Sequence, residues 1–275
     1  MQEYQAAQAG IVMTPQLLST YAPAIRDMAT TAIADPLSTP ALAMEQLDVA
    51  GRAIHMLYAP FDHVNRNARI AIVGMTPGRF QAVNALRTAQ EALQAGQSVE
   101  SAAEKAKVFA SFSGEPMRGN LVRMLDLIGV ADLLGLPSTA SLWGGNSELV
   151  HFTSALRYPV FVDGQNWSGQ PDMVRTPPLR SWLETYTGTE LSLLPEAVIV
   201  PLGPKVAAAM RHLAQRGMID ASRILDGLPH PSGANAERIA YFLGDKAAEL
   251  CSTKTNTTVL DSARKALHER VRALR

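Results

Sequence analysis

The chain is poor in cysteine and in charged side chains. Its 275 residues include one cysteine, Cys251, which excludes a disulfide framework, a zinc site built from cysteines and an iron–sulfur cluster held by this chain alone. Charged residues make up 18% of the sequence, below the roughly 25% of an ordinary globular domain. No apolar run approaches the ~18 residues of a membrane-spanning helix, and no signal peptide is evident. We therefore expect a cytoplasmic protein with no membrane partner.

The net charge is zero but unevenly distributed. Residues 1–50 carry one base and five acids, a net of −4, whereas residues 201–275 carry twelve bases and seven acids, a net of +5. Nineteen of the 25 basic residues are arginine, whose forked donors suit phosphate. An arginine-favouring genome explains the same excess, so charge alone does not predict nucleic-acid binding.

Four short apolar segments, each followed by a turn and a helical segment, indicate a parallel sheet. They are 69–73, 149–153, 197–202 and 223–228. This alternation predicts a three-layer α/β/α fold with a four-stranded parallel sheet. Residues 1–60 are rich in helix-forming side chains and predict a helical N-terminal extension, while residues 61–275 form the α/β domain. The two parts are expected to make one compact domain.

Ligands of such sheets lie beyond the carboxyl ends of the strands, where two loops are unusual. The first loop, after the first strand, reads Gly74-Met75-Thr76-Pro77-Gly78-Arg79-Phe80. Its glycines allow a sharp turn and a close approach to a ligand, and its proline stiffens the backbone. The second, after the fourth strand, reads His230-Pro231-Ser232-Gly233-Ala234-Asn235. It places an imidazole and a hydroxyl on a rigid loop.

Two further segments bear on the site. The irregular stretch 158–178 contains an Asn166-Trp167 pair between two glycines, and we expect an ordered pocket wall there, because long irregular runs are usually functional or disordered. The composition of residues 111–120 predicts a turn.

His151 lies in an apolar strand, and we interpret it as a buried core histidine whose ring nitrogens have hydrogen-bond partners.

Together, and in this order, the two loops resemble the motifs of the uracil-DNA glycosylase superfamily. The first loop is most similar to the SMUG-like (single-strand-selective monofunctional) branch, whose motif is Gly-Met-Asn-Pro-Gly followed by a residue and then Phe. The resemblance covers roughly residues 65–250. It implies hydrolysis of the bond between a flipped, damaged base and its sugar in DNA, with no cofactor and no metal, by a protein that can act as a monomer.

The resemblance also implies roles for individual residues. His230 would stabilise negative charge on the departing base. Thr76 occupies the position at which active branches carry an asparagine, which orients the attacking water, or an aspartate, which can also deprotonate it. Phe80 would stack on the base. The residues expected to bind the base are Gly74, Met75, Pro77, Gly78, Phe80, Ser154, Asn166 and Trp167. Those expected to contact DNA are Ser232, Gly233, Asn235 and Arg238.

Two departures from the motifs keep alternatives open. A threonine hydroxyl at position 76 can hydrogen-bond a water molecule but cannot deprotonate it. The second strand ends in Thr153 and Ser154, where the family carries a base-reading asparagine, and hydroxyls pair less well with a uracil edge than an amide does. One alternative is an inactive relative that binds a base, nucleotide or nucleic acid without cutting. Another is an unrelated small-molecule hydrolase or nucleotide-binding enzyme.

Overall fold

A computed structural model describes residues 16–110 and 114–275 of the chain. The described residues form a mixed α/β protein. Its helices are α1 Gln16–Arg26, α2 Thr30–Ala34, α3 Arg79–Gln94, α4 Val99–Ala110, α5 Met117–Leu127, α6 Val130–Leu134, α7 Pro177–Trp182, α8 Thr189–Ser192, α9 Pro204–Gln215, α10 Ala236–Leu243 and α11 Thr257–Ala273. Its strands are β1 Ala43–Val49, β2 Arg52–Leu57, β3 Ile70–Gly74, β4 Val150–Ser154, β5 Val160–Val162, β6 Gln165–Asn166 and β7 Val198–Pro201. The helix expected over residues 1–15 and the turn expected at 111–113 lie outside the described residues.

The central sheet is parallel, with β3 between β4 and β7. Its register pairs Gly74 with Ser154 and Val73 with Pro201, so the carboxyl ends of the three strands meet at one edge. Every residue of these strands is buried, as expected for apolar strands covered on both faces.

Alternate residues of β3 enter two separate cores. Ala71 and Val73 face a core shared with α1, α3, α4 and α9, whereas Ile70 and Ile72 face one shared with α5, α6, α10 and α11. This alternation follows from the two-residue period of a strand. The parallel sheet therefore has helices on both sides.

The predicted fourth parallel strand, 223–228, is largely absent. A single parallel bridge joins Ile224 to Ile199, and the backbone N–H of Leu225 donates to the carbonyl of Ile199 at 2.8 Å. Gly227, with φ +122°, then takes the chain out of the extended conformation, so no strand continues along β7. The sheet has three strands and one bridge, where the sequence predicted four strands.

The prediction that residues 1–60 are helical is wrong for residues 43–57. These residues form the β1–β2 hairpin, which turns at Ala50 and Gly51, both with positive φ. A second, antiparallel sheet follows the order β1-β2-β5-β6. Pairing with β5 buries Ile54 and Met56, and this long-range pairing outweighs the local helical composition. The predicted irregular segment 158–178 likewise begins with two ordered strands.

Among the described residues, no helix is long and apolar enough to cross a membrane.

Candidate functional site

The loop after β3 lies beside the chain that follows β4. The backbone N–H groups of Ala155 and Leu156 donate to the carbonyls of Gly74 and Met75 at 2.8 and 2.9 Å. These bonds continue the parallel pairing beyond the last strand residue, Ser154. The first predicted loop and the end of the second strand are thus held side by side.

A small pocket lies between these two segments, and we call it the strand-end pocket. Its volume is about 50 Å³. Five of the predicted site residues line it, namely Gly74, Met75, Thr76, Pro77 and Ser154. Six residues that were not predicted complete the lining, namely Phe61, Gln81, Lys107, Phe152, Thr153 and Arg157. The first motif therefore does frame a cavity at the carboxyl edge of the sheet.

Thr76 is tied to the antiparallel sheet. Its hydroxyl donates to the carbonyl of Tyr158 at 3.1 Å and accepts the backbone N–H of Val160 at 3.2 Å. One lone pair of this oxygen remains for a ligand or water. The side chain thus fastens the loop to the start of β5 while it lines the pocket.

Asn166 and Trp167 support the loop from outside the pocket. The Asn166 side-chain oxygen accepts the backbone N–H of Arg79 at 2.9 Å, at the first turn of α3. A Cβ added at Gly78 would come within 3.2 Å of the Asn166 amide nitrogen, so glycine allows this close approach. Trp167 is buried in the core and donates its Nε1–H to the carbonyl of Pro171 at 3.1 Å. Neither Asn166 nor Trp167 lines the strand-end pocket.

Phe80 does not line the strand-end pocket either. Its side chain is 76% exposed and borders a groove of about 1010 Å³ that also includes Arg66, Arg118 and Trp143; we call it the aromatic groove. Lys107 and Phe152 line both cavities, so the pocket and the groove are neighbours. The aromatic side chain that the pocket does contain, besides Phe152, is Phe61.

His230 stands on the loop beside the end of β7. A Cβ added at Gly203 would lie 3.4 Å from the His230 ring, so the glycine gives this ring its place. The backbone N–H of Ser232 donates to Nδ1 at 3.3 Å, which leaves the proton on Nε2 and makes that nitrogen the donor. Burial lowers the pKa of His230, so the ring is neutral at pH 7.

The rest of the His230 loop is held by contacts within the loop and with neighbouring segments. The Asn120 side chain donates to the carbonyl of Pro231 at 2.9 Å, and the Ser232 hydroxyl lies 3.1 Å from His230 Nδ1. Arg238 donates to the Asn235 side chain at 2.9 Å and to the carbonyl of Lys254 at 3.1 Å. Gly233 lies near Pro116. Of the predicted DNA-contacting residues, Ser232, Gly233 and Asn235 lie on the loop and Arg238 lies in the first turn of α10. The Arg238 guanidinium already has two partners.

Sequence reasoning missed a buried ionic cluster next to the pocket, which we call the Glu190 cluster. Glu190 is fully buried and accepts hydrogen bonds from Lys107 at 2.5 Å and from Thr153 at 2.8 Å. Its carboxylate also lies 2.7 Å from His151 Nε2 and 3.6 Å from Arg157 Nε. The four partners come from α4, β4 and the loop after β4, and so this one carboxylate ties three segments to α8.

His151 takes part in this cluster as a neutral ring. The backbone N–H of Asn65 donates to its Nδ1 at 3.3 Å, so Nε2 carries the proton and donates to Glu190. Burial and the charge of Lys107 lower the pKa of His151 to about 4. Burial also lowers the pKa of Lys107 to about 8. Charges from Arg157 and Lys107 outweigh burial and lower the pKa of Glu190.

We expect His151 to make the protein sensitive to acid. Since its folded pKa of about 4 lies below the 6.5 of an ordinary histidine, the unfolded state binds the proton first, and the free energy of unfolding falls as pH drops from 6.5 to 4. The contribution is on the order of 3 kcal/mol. Thermal melts of wild type and His151→Gln across this range measure it, and the stability difference between the two should change with pH. A constant difference contradicts the assignment.

The residues that the structure describes show no cluster of metal ligands. Among the described residues, no three His, Cys, Asp or Glu side chains come together in a way that could hold a metal ion. The polar groups that line the strand-end pocket and the aromatic groove could contact a ligand.

Comparison with curated proteins finds a relative from Bacillus subtilis (strain 168) with the description "Uncharacterized protein YoxB". The two chains are 36% identical over 192 residues, which is 69% of this chain and 75% of the relative. No family model matches the chain, and no solved structure matches it. The relative's description names no substrate or activity.

Proposed function

The chain belongs to the same family as YoxB, and for this member we propose a DNA glycosylase activity that hydrolyses the N-glycosidic bond of a flipped uracil or other damaged base. The observation that carries the proposal is the strand-end pocket, framed by Gly74, Met75, Thr76 and Pro77 at the carboxyl edge of a parallel sheet. The resemblance of this loop and of the His230 loop to the uracil-DNA glycosylase motifs supports it.

The neighbouring aromatic groove suits the rest of a nucleotide. A flipped base needs a pocket, while its sugar and phosphate need a wider channel with cationic and aromatic side chains. The groove offers exposed Phe80 together with Arg66 and Arg118. Its shared border with the pocket at Lys107 and Phe152 supports a path from one to the other.

The neutral His230 ring is suited to stabilise the base as it leaves the sugar. When the bond between base and sugar breaks, the electron pair stays on the base, and a donor at its oxygen stabilises that charge. Water supplies the hydroxyl that ends on the sugar, and its remaining proton neutralises the base. A neutral imidazole with its proton on Nε2 provides such a donor without a cationic charge.

The experiment is an excision assay on single- and double-stranded oligonucleotides that contain uracil or hypoxanthine. Alkali cleaves the strand wherever a base has been removed. We expect strand breaks at the position of the damaged base and none in undamaged DNA. If every substrate stays intact, the glycosylase proposal fails.

A second candidate is a relative that binds a base, nucleotide or nucleic acid without cutting. No carboxylate or imidazole is among the residues that line the strand-end pocket, and the Thr76 hydroxyl already has two backbone partners. The pocket therefore lacks a group that could deprotonate water. This observation favours binding alone over hydrolysis.

Thr76→Asn separates the two candidates. An amide can keep both backbone contacts of Thr76 and still offer one donor and one lone pair to water. If the wild-type protein is an active enzyme, we expect Thr76→Asn to change its rate of uracil excision by less than about tenfold. If the wild-type protein is inactive because of Thr76, we expect the variant to gain measurable uracil excision. The same oligonucleotide assay measures both, with Thr76→Val as the isosteric control that loses the backbone contacts and adds no amide. A gain in the valine variant would contradict this account.

A further inference from the structure

The strand-end pocket offers its ligand many donors and few acceptors. The carbonyls of Gly74 and Met75 already accept backbone N–H groups, and the hydroxyl hydrogens of Thr76 and Thr153 are directed to Tyr158 and Glu190. No acidic side chain lines the pocket. A ligand that fits this wall must bring its own acceptors.

Arg157 is one of two cations in the wall; the other, Lys107, donates to Glu190. Arg157 is 3% exposed and lines the pocket. Its Nε donates to the carbonyl of Phe61 at 3.0 Å, and Nη2 donates to the carbonyl of Asp62. Among the described residues, Nη1 of Arg157 makes no hydrogen bond. It is therefore the donor that this side chain retains for a ligand of the pocket that it lines.

Gln81 is the neutral donor. Its Oε1 accepts the backbone N–H of Gly78 at 2.7 Å. This bond fixes the orientation of the amide, because a backbone N–H needs an oxygen as its partner. The NH₂ group has no hydrogen-bond partner among the described residues, and Gln81 lines the pocket. Its position in the first turn of α3 adds the positive end of a helix dipole to the same wall.

We propose that the strand-end pocket binds an oxygen that carries negative charge, with Gln81 and Arg157 as the binding residues. The inference rests on the proposed function, since the charged oxygen would belong to the base that departs with the electron pair of the broken bond. Bases with ring carbonyls can place this charge on oxygen. A base with an amino group at the same edge would set donor against donor, so the pocket rejects it.

Free bases test this inference without any bond cleavage. The full-length protein is titrated with 5-fluorouracil, uracil and cytosine by calorimetry at neutral pH. Because fluorine makes the ring proton more acidic, we expect 5-fluorouracil to bind more tightly than uracil, and cytosine to bind at least tenfold more weakly than uracil.

Gln81→Glu is the decisive variant. It keeps the shape of the side chain and an oxygen for the N–H of Gly78, and a carboxylate is favourable in the first turn of a helix. The melting temperature should therefore stay near that of wild type. Replacing the NH₂ donor by a charged acceptor should weaken uracil binding by on the order of 10- to 100-fold. Gln81→Met removes the donor without charge, and Gln97→Glu, outside the pocket, controls for the added charge.

Arg157→Met should weaken uracil binding similarly, and its melting curve tells whether the fold persists; the Gln81 variants carry the test if it does not. Equal affinity for uracil and cytosine, no binding of any of the three bases, or wild-type binding by Gln81→Glu overturns the inference. If the protein binds uracil in a Gln81-dependent way but excises no base from DNA, this inference stands and the glycosylase proposal fails. If the protein excises bases and Gln81→Glu does so equally well, the glycosylase proposal stands and this inference fails.

Discussion

Replacement of His230 by alanine should slow base excision by a factor on the order of 10²–10³, the usual effect of losing one donor to a developing oxyanion. The hydrogen bond from Ser232 N–H to Nδ1 directs the Nε2 proton outward, and burial keeps the ring neutral by lowering its pKa. Alanine removes this donor and leaves the loop backbone in place. Single-turnover excision of uracil from an oligonucleotide measures the rate.

The control for this variant is His268→Ala, in α11 and away from both cavities. We expect it to leave the excision rate unchanged. His230→Asn tests the donor itself, since an amide retains a donor at this position and should recover part of the rate. If His230→Ala excises uracil as fast as wild type does, another group stabilises the departing base.

The parallel sheet could be predicted because its strands carry a local signature. Segments 69–73 and 197–202 are short, β-branched and apolar, and each is followed by a glycine turn and then a helix. The hairpin at 43–57 has no such signature. Its sequence is compatible with a helix, and pairing with β5, about a hundred residues later, determines its conformation. Local composition does not report a contact at that separation.

The sequence predicted the part of the pocket that the loop after β3 forms. Residues 74–77 are typical of a sharp, stiff turn, and they line the pocket in the structure. Phe80 was expected inside because it follows the motif, but the first turn of α3 directs its side chain into the aromatic groove. Gln81, one residue further, reaches the pocket instead. A step of one residue along a helix rotates the side chain by about 100°, which motif spacing alone does not resolve.

The Glu190 cluster could not be predicted from the sequence. Lys107, Arg157 and Glu190 each stand among residues that give no hint of a partner, and they meet only through the packing of α4 and α8 against β4. Buried charges are rare unless they are paired, but the identity of the partner is a property of the fold. His151, interpreted as a satisfied core histidine, is indeed buried and bonded to Glu190, and its nearness to the pocket emerges only from the structure.

Replacement of Glu190 by alanine should cost about 3–5 kcal/mol of the free energy of unfolding, because it leaves the Lys107 and Arg157 cations buried without their counter-charge. The Thr153 hydroxyl and the His151 N–H lose their acceptor as well. For a chain of this size we expect the melting temperature to fall by roughly 6–20 °C. Calorimetric melts of both proteins at pH 7 measure the change.

Glu196→Ala is the matched control, since that carboxylate pairs with Arg223 at 2.8 Å while its side chain stays 83% exposed. Exposed pairs of this kind contribute about 0–1 kcal/mol. The deficit of Glu190→Ala should also shrink as pH rises from 7 to 9. Burial already lowers the pKa of Lys107 to about 8, and loss of the carboxylate lowers this pKa further. Lys107 therefore loses its proton, and with it the buried charge, at a lower pH in the variant than in wild type. If Glu190→Ala melts like Glu196→Ala at every pH, the cluster is not an ion-paired core.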